Sequence, residues 1–212
     1  SKSKAILGAD LSLAVQRDLT EQEEVLLKKA LPLNTVERRE LGMFSMASTG
    51  TKSRLAFLIG IDKDFPYYGA LTLKNQGEVS RFTSKSVVTK PVAWLYPELQ
   101  TQLGVKVGEK IKFGNKWFTV EDIVTEDPSV STVSFVPIAK IYVGLPFVAD
   151  TGLLKTGSRV YYSRLYKLPP DQNASEIKGN IKKVLTNTDI MVTSHEKASP
   201  EFGRILTNLN DY

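Results

Sequence analysis

Leu11, Leu13 and Val15 alternate with Ser12 and Ala14, the two-residue period of a half-buried strand. Thr20-Glu21-Gln22-Glu23 then spells a capping box, in which the Thr20 hydroxyl accepts from the Glu23 N–H while the Glu23 carboxylate reaches back. A helix is predicted to follow through Val25, Leu26 and Ala30 and to stop at Pro32. Val36 to Ala47 reads as extended, Ser48 to Lys52 as turn, and Leu55 to Ile61 as a buried return strand. The first segment is therefore β-α-β-β, with a long first arm to its hairpin.

From about residue 76 to 144 the pattern changes to short β-like runs punctuated by glycine. Pro97 to Leu103 predicts a short helical turn ended by Gly104. Val105 to Phe113 alternates apolar and polar residues, Gly114-Asn115 turns the chain, and Trp117-Phe118-Thr119-Val120 continues it as a small hairpin with one wet face. The 76–144 insert should form a lobe with its own small core, to which Val105, Val107, Ile111, Phe113, Phe118 and Val120 contribute. In the third segment Val160, Tyr162, Leu165 and Tyr166 mark a strand ending at Pro169-Pro170. Asn173 to Leu185 suits a helix, and Asp189 to Val192 a short strand. Phe202, Ile205, Leu206 and Leu209 suggest a last amphipathic helix. Two β-α-β units thus flank a β-rich insert, and the units should meet in space, because neither alone buries enough area to fold well.

Length and composition constrain this picture only loosely. The 212 residues suffice for one domain with a real core or two small lobes, and the apolar and charged fractions are those of a globular protein. The net charge of +5 is carried by lysines scattered among nearly as many acids, which reads as a solubilising surface. With no cysteine, disulfides, thiolate zinc sites and cysteine nucleophiles are excluded. No run approaches the roughly 18–20 apolar residues of a membrane span, and no signal peptide is visible.

The candidate chemistry is thin. His195, the single histidine, has no metal-ligand spacing around it and reads as structural. Glu121, Asp122, Glu126 and Asp127 form the most acidic patch, but lack a calcium-loop pattern and read as solvated charge at a strand edge. Gly50-Thr51-Lys52-Ser53 lacks the glycines of a phosphate loop. Ser-x-x-Lys at Ser1/Lys4, Ser175/Lys178 and Ser194/Lys197 has none of the companion patterns of the hydrolases that use it, and no Gly-x-Ser-x-Gly occurs. Trp94, Tyr96, Trp117, Tyr161, Tyr162 and Tyr166 could stack nucleobases, but without an accompanying motif they read as packing residues. No catalytic, cofactor-binding or metal-binding residue is assigned, and neither enzyme activity, a cofactor nor a nucleic-acid partner is expected.

Three stretches carry a family resemblance. Leu7-Gly8-Ala9-Asp10-Leu11-Ser12-Leu13 resembles a "(G)GADL-x-(V/L)" strand, followed by the helix start Arg17-Asp18-Leu19-Thr20-Glu21 with Glu23. Leu103 to Gly114 resembles "LGVKVGD-x-(V/L)-x-(V/L)G", and Phe118-Thr119-Val120 fills "F-x-V". Thr151 to Val160 resembles "TGL-(I/V)-x-x-GSRV". In this order and spacing they are similar to the extracytoplasmic, MacB-like periplasmic core domain of FtsX/YbbP-like ABC transporter permeases. Glu109 stands where Asp is usual, and Glu121-Asp122 interrupts the usual apolar run.

The resemblance implies an α+β fold: a porter-like α/β lobe of two β-α-β units from residues 1–75 and 145–212, and a β-rich inserted lobe, 76–144. It implies a periplasmic, extracytoplasmic domain of a bacterial inner-membrane protein, with membrane spans expected before Ser1 and after Tyr212. It also implies a mechanical role: a cytosolic ATPase subunit acts through the full-length permease, and the motion reaches a periplasmic protein or lipophilic cargo. The strand near Ala9 and the segment Ser199 to Tyr212 would be the levers. The alternative is a free-standing periplasmic module that binds a ligand or polysaccharide.

Overall fold

The computed structural model describes residues 1–129, 138–155 and 157–197. In chain order its first elements are α1 (Lys2–Leu7), β1 (Leu11–Val15), α2 (Glu21–Ala30), β2 (Val36–Ser48) and β3 (Ser53–Ile61). Then come β4 (Leu71–Leu73), β5 (Gly77–Val79), β6 (Val92–Leu95), α3 (Pro97–Leu103), β7 (Lys110–Phe113) and β8 (Lys116–Glu126). The last are β9 (Lys140–Gly144), α4 (Leu145–Val148), β10 (Tyr161–Lys167), α5 (Ala174–Val184) and β11 (Met191–Ser194), followed by a 3-10 turn, His195–Lys197. The last predicted helix, with Phe202, Ile205, Leu206 and Leu209, lies outside the described residues, as does Thr156 of the third motif.

Both ends of the chain build one antiparallel group of strands in the order β11-β1-β10-β2. The crossovers β1-α2-β2 and β10-α5-β11 are the two expected β-α-β units, interleaved as in a split β-α-β fold. Local chemistry sets the helix starts. Thr20 and Glu23 form the capping box in both directions. Asn173 caps α5 by accepting from the Glu176 N–H. Leu27 from α2, Ile177 and Ile181 from α5, and Leu11, Leu13 and Tyr166 from the sheet share one core. Of the apolar residues of this helix Val25 is 53% exposed, and Leu27 takes the inner face.

The alternation in β1 predicted one wet face, yet all five residues are buried. A six-residue helix that the pattern did not predict, α1, covers the second face: Ile6 and Leu7 pack with Tyr67 and Leu165 there.

Beyond β10, strand β2 continues with β3 as its hairpin partner, and β3 pairs in parallel with β9. β9 pairs with β6, β6 with β8, β8 with β7, and β7 returns to β2 through Ser48 and Lys112. These pairings close a ring of six strands. Its interior is filled by alternate side chains, including Met43, Leu58, Phe113, Phe118, Val120 and Ile141, with Leu99 and Leu103 from α3 and Val148 from α4. Phe113 and Phe118 meet edge to face with centroids 5.6 Å apart. Val107, expected in this core, is 43% exposed. Gly108 takes a left-handed φ of 95° and makes residues 106–109 a turn, so the strand starts only at Lys110. One part of the ring's outer wall, through Phe57, Ile59, Trp94 and Tyr142, is covered by the β4–β5 hairpin and Phe65.

Candidate functional site

The first helix and the last described turn meet the rest of the molecule at a joint built around Asp10. Ser1 caps α1, and Gly8 ends it with a left-handed φ of 75°. The next two residues run buried into β1. Asp10 Oδ1 pairs with Lys4 Nζ at 2.9 Å, while Oδ2 accepts from the Tyr68 hydroxyl at 2.8 Å and from the Leu168 N–H at 2.9 Å. Burial and this carboxylate push the Tyr68 phenol well above its ordinary pKa. The Tyr67 N–H donates to the Gly8 carbonyl at 3.2 Å, so the loop after β3 is tied to the chain's first turn.

His195, just after β11, closes the joint from the other side. Its N–H donates to the Asp10 carbonyl at 3.0 Å, and its Nδ1 lies 2.8 Å from Ser3 Oγ. Nε2 stands 3.3 Å from Glu196. The histidine is structural here, and it joins residue 3 to residue 195.

Beside this joint Arg38 is buried, its guanidinium between the rings of Phe65 and Tyr67 at 5.1 and 5.8 Å, with Nη2 2.9 Å from Glu40. Among the described residues its Nε and Nη1 have no hydrogen-bond partner. Arg38, Glu40, Lys140, Ser129 and Ser163 line a cavity of about 30 Å³, room for a water or two. Burial lowers the pKa of nearby Lys85 to about 8, and its ammonium donates to the Lys63 carbonyl at 2.8 Å.

The acidic patch is not solvated edge charge. Asp122 is fully buried and accepts from the N–H groups of Asn75, Gln76 and Ile123 at 3.1, 3.0 and 2.8 Å, fixing the β4–β5 turn. Glu121 accepts from Trp94 Nε1 at 3.0 Å and from the Ser86 hydroxyl. Asp127 accepts from the hydroxyls of Tyr96, Ser129 and Tyr142, with Lys140 4.0 Å away. Burial, and then the Asp127 charge, raise both phenols far above the ordinary range. Glu126 alone is exposed. Each buried acid is saturated by donors that ordinary structure supplies.

The other candidates are scattered. Gly50-Thr51-Lys52-Ser53 is the β2–β3 turn. Ser1 is a helix cap, Ser175 donates to Glu196, and Ser194 is buried at the end of β11. Trp94 and Tyr166 are packing residues, but Trp117 is 44% exposed and Tyr162 36%. Among the described residues no group of three or more metal-ligating side chains occurs, and no helix is long and apolar enough to cross a membrane.

No family model matches the sequence, and no curated protein does. Solved structures do. The periplasmic region of MacB from Actinobacillus actinomycetemcomitans matches with a TM-score of 0.52, covering 99% of this chain and 96% of that one at 15% identity. The chain has the MacB-like periplasmic fold. The extracellular domain of the ABC-type transporter YknZ from Gram-positive bacteria matches with a TM-score of 0.53, covering 87% of this chain and all of that one at 11% identity. At such identities the likeness is one of fold: a helix-covered sheet from both chain ends, carrying a β-rich insertion.

Proposed function

We propose that this chain is the extracytoplasmic domain of an ABC transporter permease, a bacterial inner-membrane protein, and that it acts mechanically rather than as an enzyme. The observation that carries the reading is the joint itself. Residues 3 and 195 hydrogen-bond to each other in a fold shared with a transporter's periplasmic region, the geometry that two adjacent membrane helices require.

In this reading residues 1–75 and 145–212 form the anchored lobe and 76–144 the inserted one, with β2, β3 and α4 of the former completing the ring that β6, β7, β8 and β9 of the latter begin. A cytosolic ATPase subunit moves the membrane helices of the full-length permease. The motion enters through α1 and the 195–197 turn, passes through Asp10 into β1 and β10, and travels along β2 to the six-strand ring. A periplasmic protein or lipophilic cargo receives it there. Such a relay works as a rigid-body movement, for which a continuous sheet is suited.

The test uses the native gene, with alkaline phosphatase inserted at the Gly50 turn. Membrane spans are expected on both sides of the domain, together with an active phosphatase. An inactive phosphatase, or a reading frame without a span on either side, overturns the reading.

A further inference from the structure

Two basic stretches of the chain lie side by side. Residues 41–61 hold two basic side chains and no acid, and residues 104–120 hold four lysines and one glutamate. Six basic groups against one acid leave five positive charges within these two stretches, of which Lys116 lies 3.7 Å from Asp150. The two stretches are neighbours, because β2 meets β7 at Ser48 and Lys112, and β7 pairs with β8.

The same region has an unusual face. Met46 lies opposite Leu55, Phe44 opposite Phe57, and Lys112 opposite both Ser48 and Trp117. These side chains point away from the ring's interior. Phe44, Met46, Leu55 and Trp117 are 37, 51, 50 and 44% exposed, while their inward neighbours Met43, Ala47 and Phe118 are buried. Single exposed apolar side chains are ordinary, but here four form a band across β2, β3 and β8, beside Lys110 and Lys112. The Lys112 ammonium sits 5.7 Å from the Trp117 ring centre.

We propose that this outer wall of the ring is a docking surface for an acidic, apolar-bearing segment of a protein partner. Apolar side chains would supply the contact area, and the lysines would select and steer a negative partner. A second copy of the chain would bring like charge against like. An anionic membrane would fit the charge but not the position. Gly8, on the chain-end side, lies beside Arg38, and Met46 stands eight residues farther along β2, roughly 25 Å away. On the reading above, on which this step rests, the chain ends are held at the membrane and the wall is carried away from it.

The experiment measures binding to the chain of three probes at low salt: a labelled fifteen-residue peptide of glutamate and leucine at helical spacing, polyglutamate of equal charge, and phosphatidylglycerol vesicles. The peptide is expected to bind more tightly than polyglutamate, and to weaken as salt rises. Met46→Ser with Leu55→Ser, and separately Lys110→Glu with Lys112→Glu, should each weaken it at least about tenfold with the melting temperature unchanged. Four results would each overturn the proposal: no peptide binding, binding indifferent to both variants, vesicles bound as tightly as the peptide, or self-association abolished by the Met46/Leu55 variant. Tight vesicle binding would remove the docking surface and leave the phosphatase result standing, so the two readings fail separately.

Discussion

The two halves of this molecule solve the same problem by different means. The half made from the chain ends leaves its sheet open and covers it with helices, and ion pairs tie α2 to the sheet side: Arg17 bridges Glu23 and Asp189, and Arg164 pairs with Glu24. The ring half curls its strands around their own side chains and pins its turns with buried carboxylates. The helices of the first half start on signals within a few residues of each other, whereas the turns of the ring are fixed by partners nearly fifty positions apart. Loss of one interaction should therefore cost more in the ring.

The sharpest challenge to this comparison is a core deletion in each half. Phe118→Ala should destabilise by about 3–5 kcal/mol and Ile181→Ala by about 2–5 kcal/mol. Because β2 belongs to both halves, urea unfolding should stay a single transition in both variants. Two separate transitions would show that the shared strand does not couple them.

Next in size is Asp122→Ala, which strands three backbone N–H donors in a dry site and should cost about 2–3 kcal/mol. Asp122→Asn keeps one acceptor oxygen and should cost less. Chemical denaturation checks both, and equal small losses would mean that water replaces the carboxylate.

Thr20→Ala removes one side of the capping box on α2 and should cost about 1 kcal/mol, visible as a lower denaturation midpoint with unchanged slope.

The smallest expected effect is a pH dependence. Hydrogen bonds from Arg17, and then from the Thr20 N–H, lower the Glu23 pKa from 4.5 to about 2. On acidification the unfolded chain takes up this proton first. The stabilisation is therefore complete above pH 4.5 and lost as the pH falls toward about 2. In Glu23→Gln, melting temperature should fall less steeply across that window than in the parent chain, and parallel curves would show the ion pair to be screened by solvent.

What could be read from the sequence is what lies close together in it. The capping box at Thr20, the helix over Asn173 to Leu185, the Gly104 helix end and the Gly114-Asn115 hairpin are all signals carried by neighbouring residues, and all are present. Helix α1 escaped because its six residues carry two lysines and too short an apolar face. The acids escaped for another reason. Asp122 is partnered by residues nearly fifty positions earlier and Asp10 by Leu168, 158 positions later. Seen alone, each looks like any surface carboxylate. The basic wall escaped likewise, because two charge-biased stretches become one surface only when β2 touches β7.

The thirteen residues of β2 also limit how a gene for this protein can change. Gly42 sits where the strand leaves β10, and a methyl group there would come within 2.7 Å of the Phe57 ring. Deletion of one codon near it would turn every later side chain of the strand inside out, sending Met43 and Ala47 to solvent and Phe44 and Met46 into the ring. The residues before it would keep their places. Length variation among descendants should therefore collect at turns such as Ser48 to Lys52, and the number of residues between Arg38 and Ala47 should be inherited unchanged.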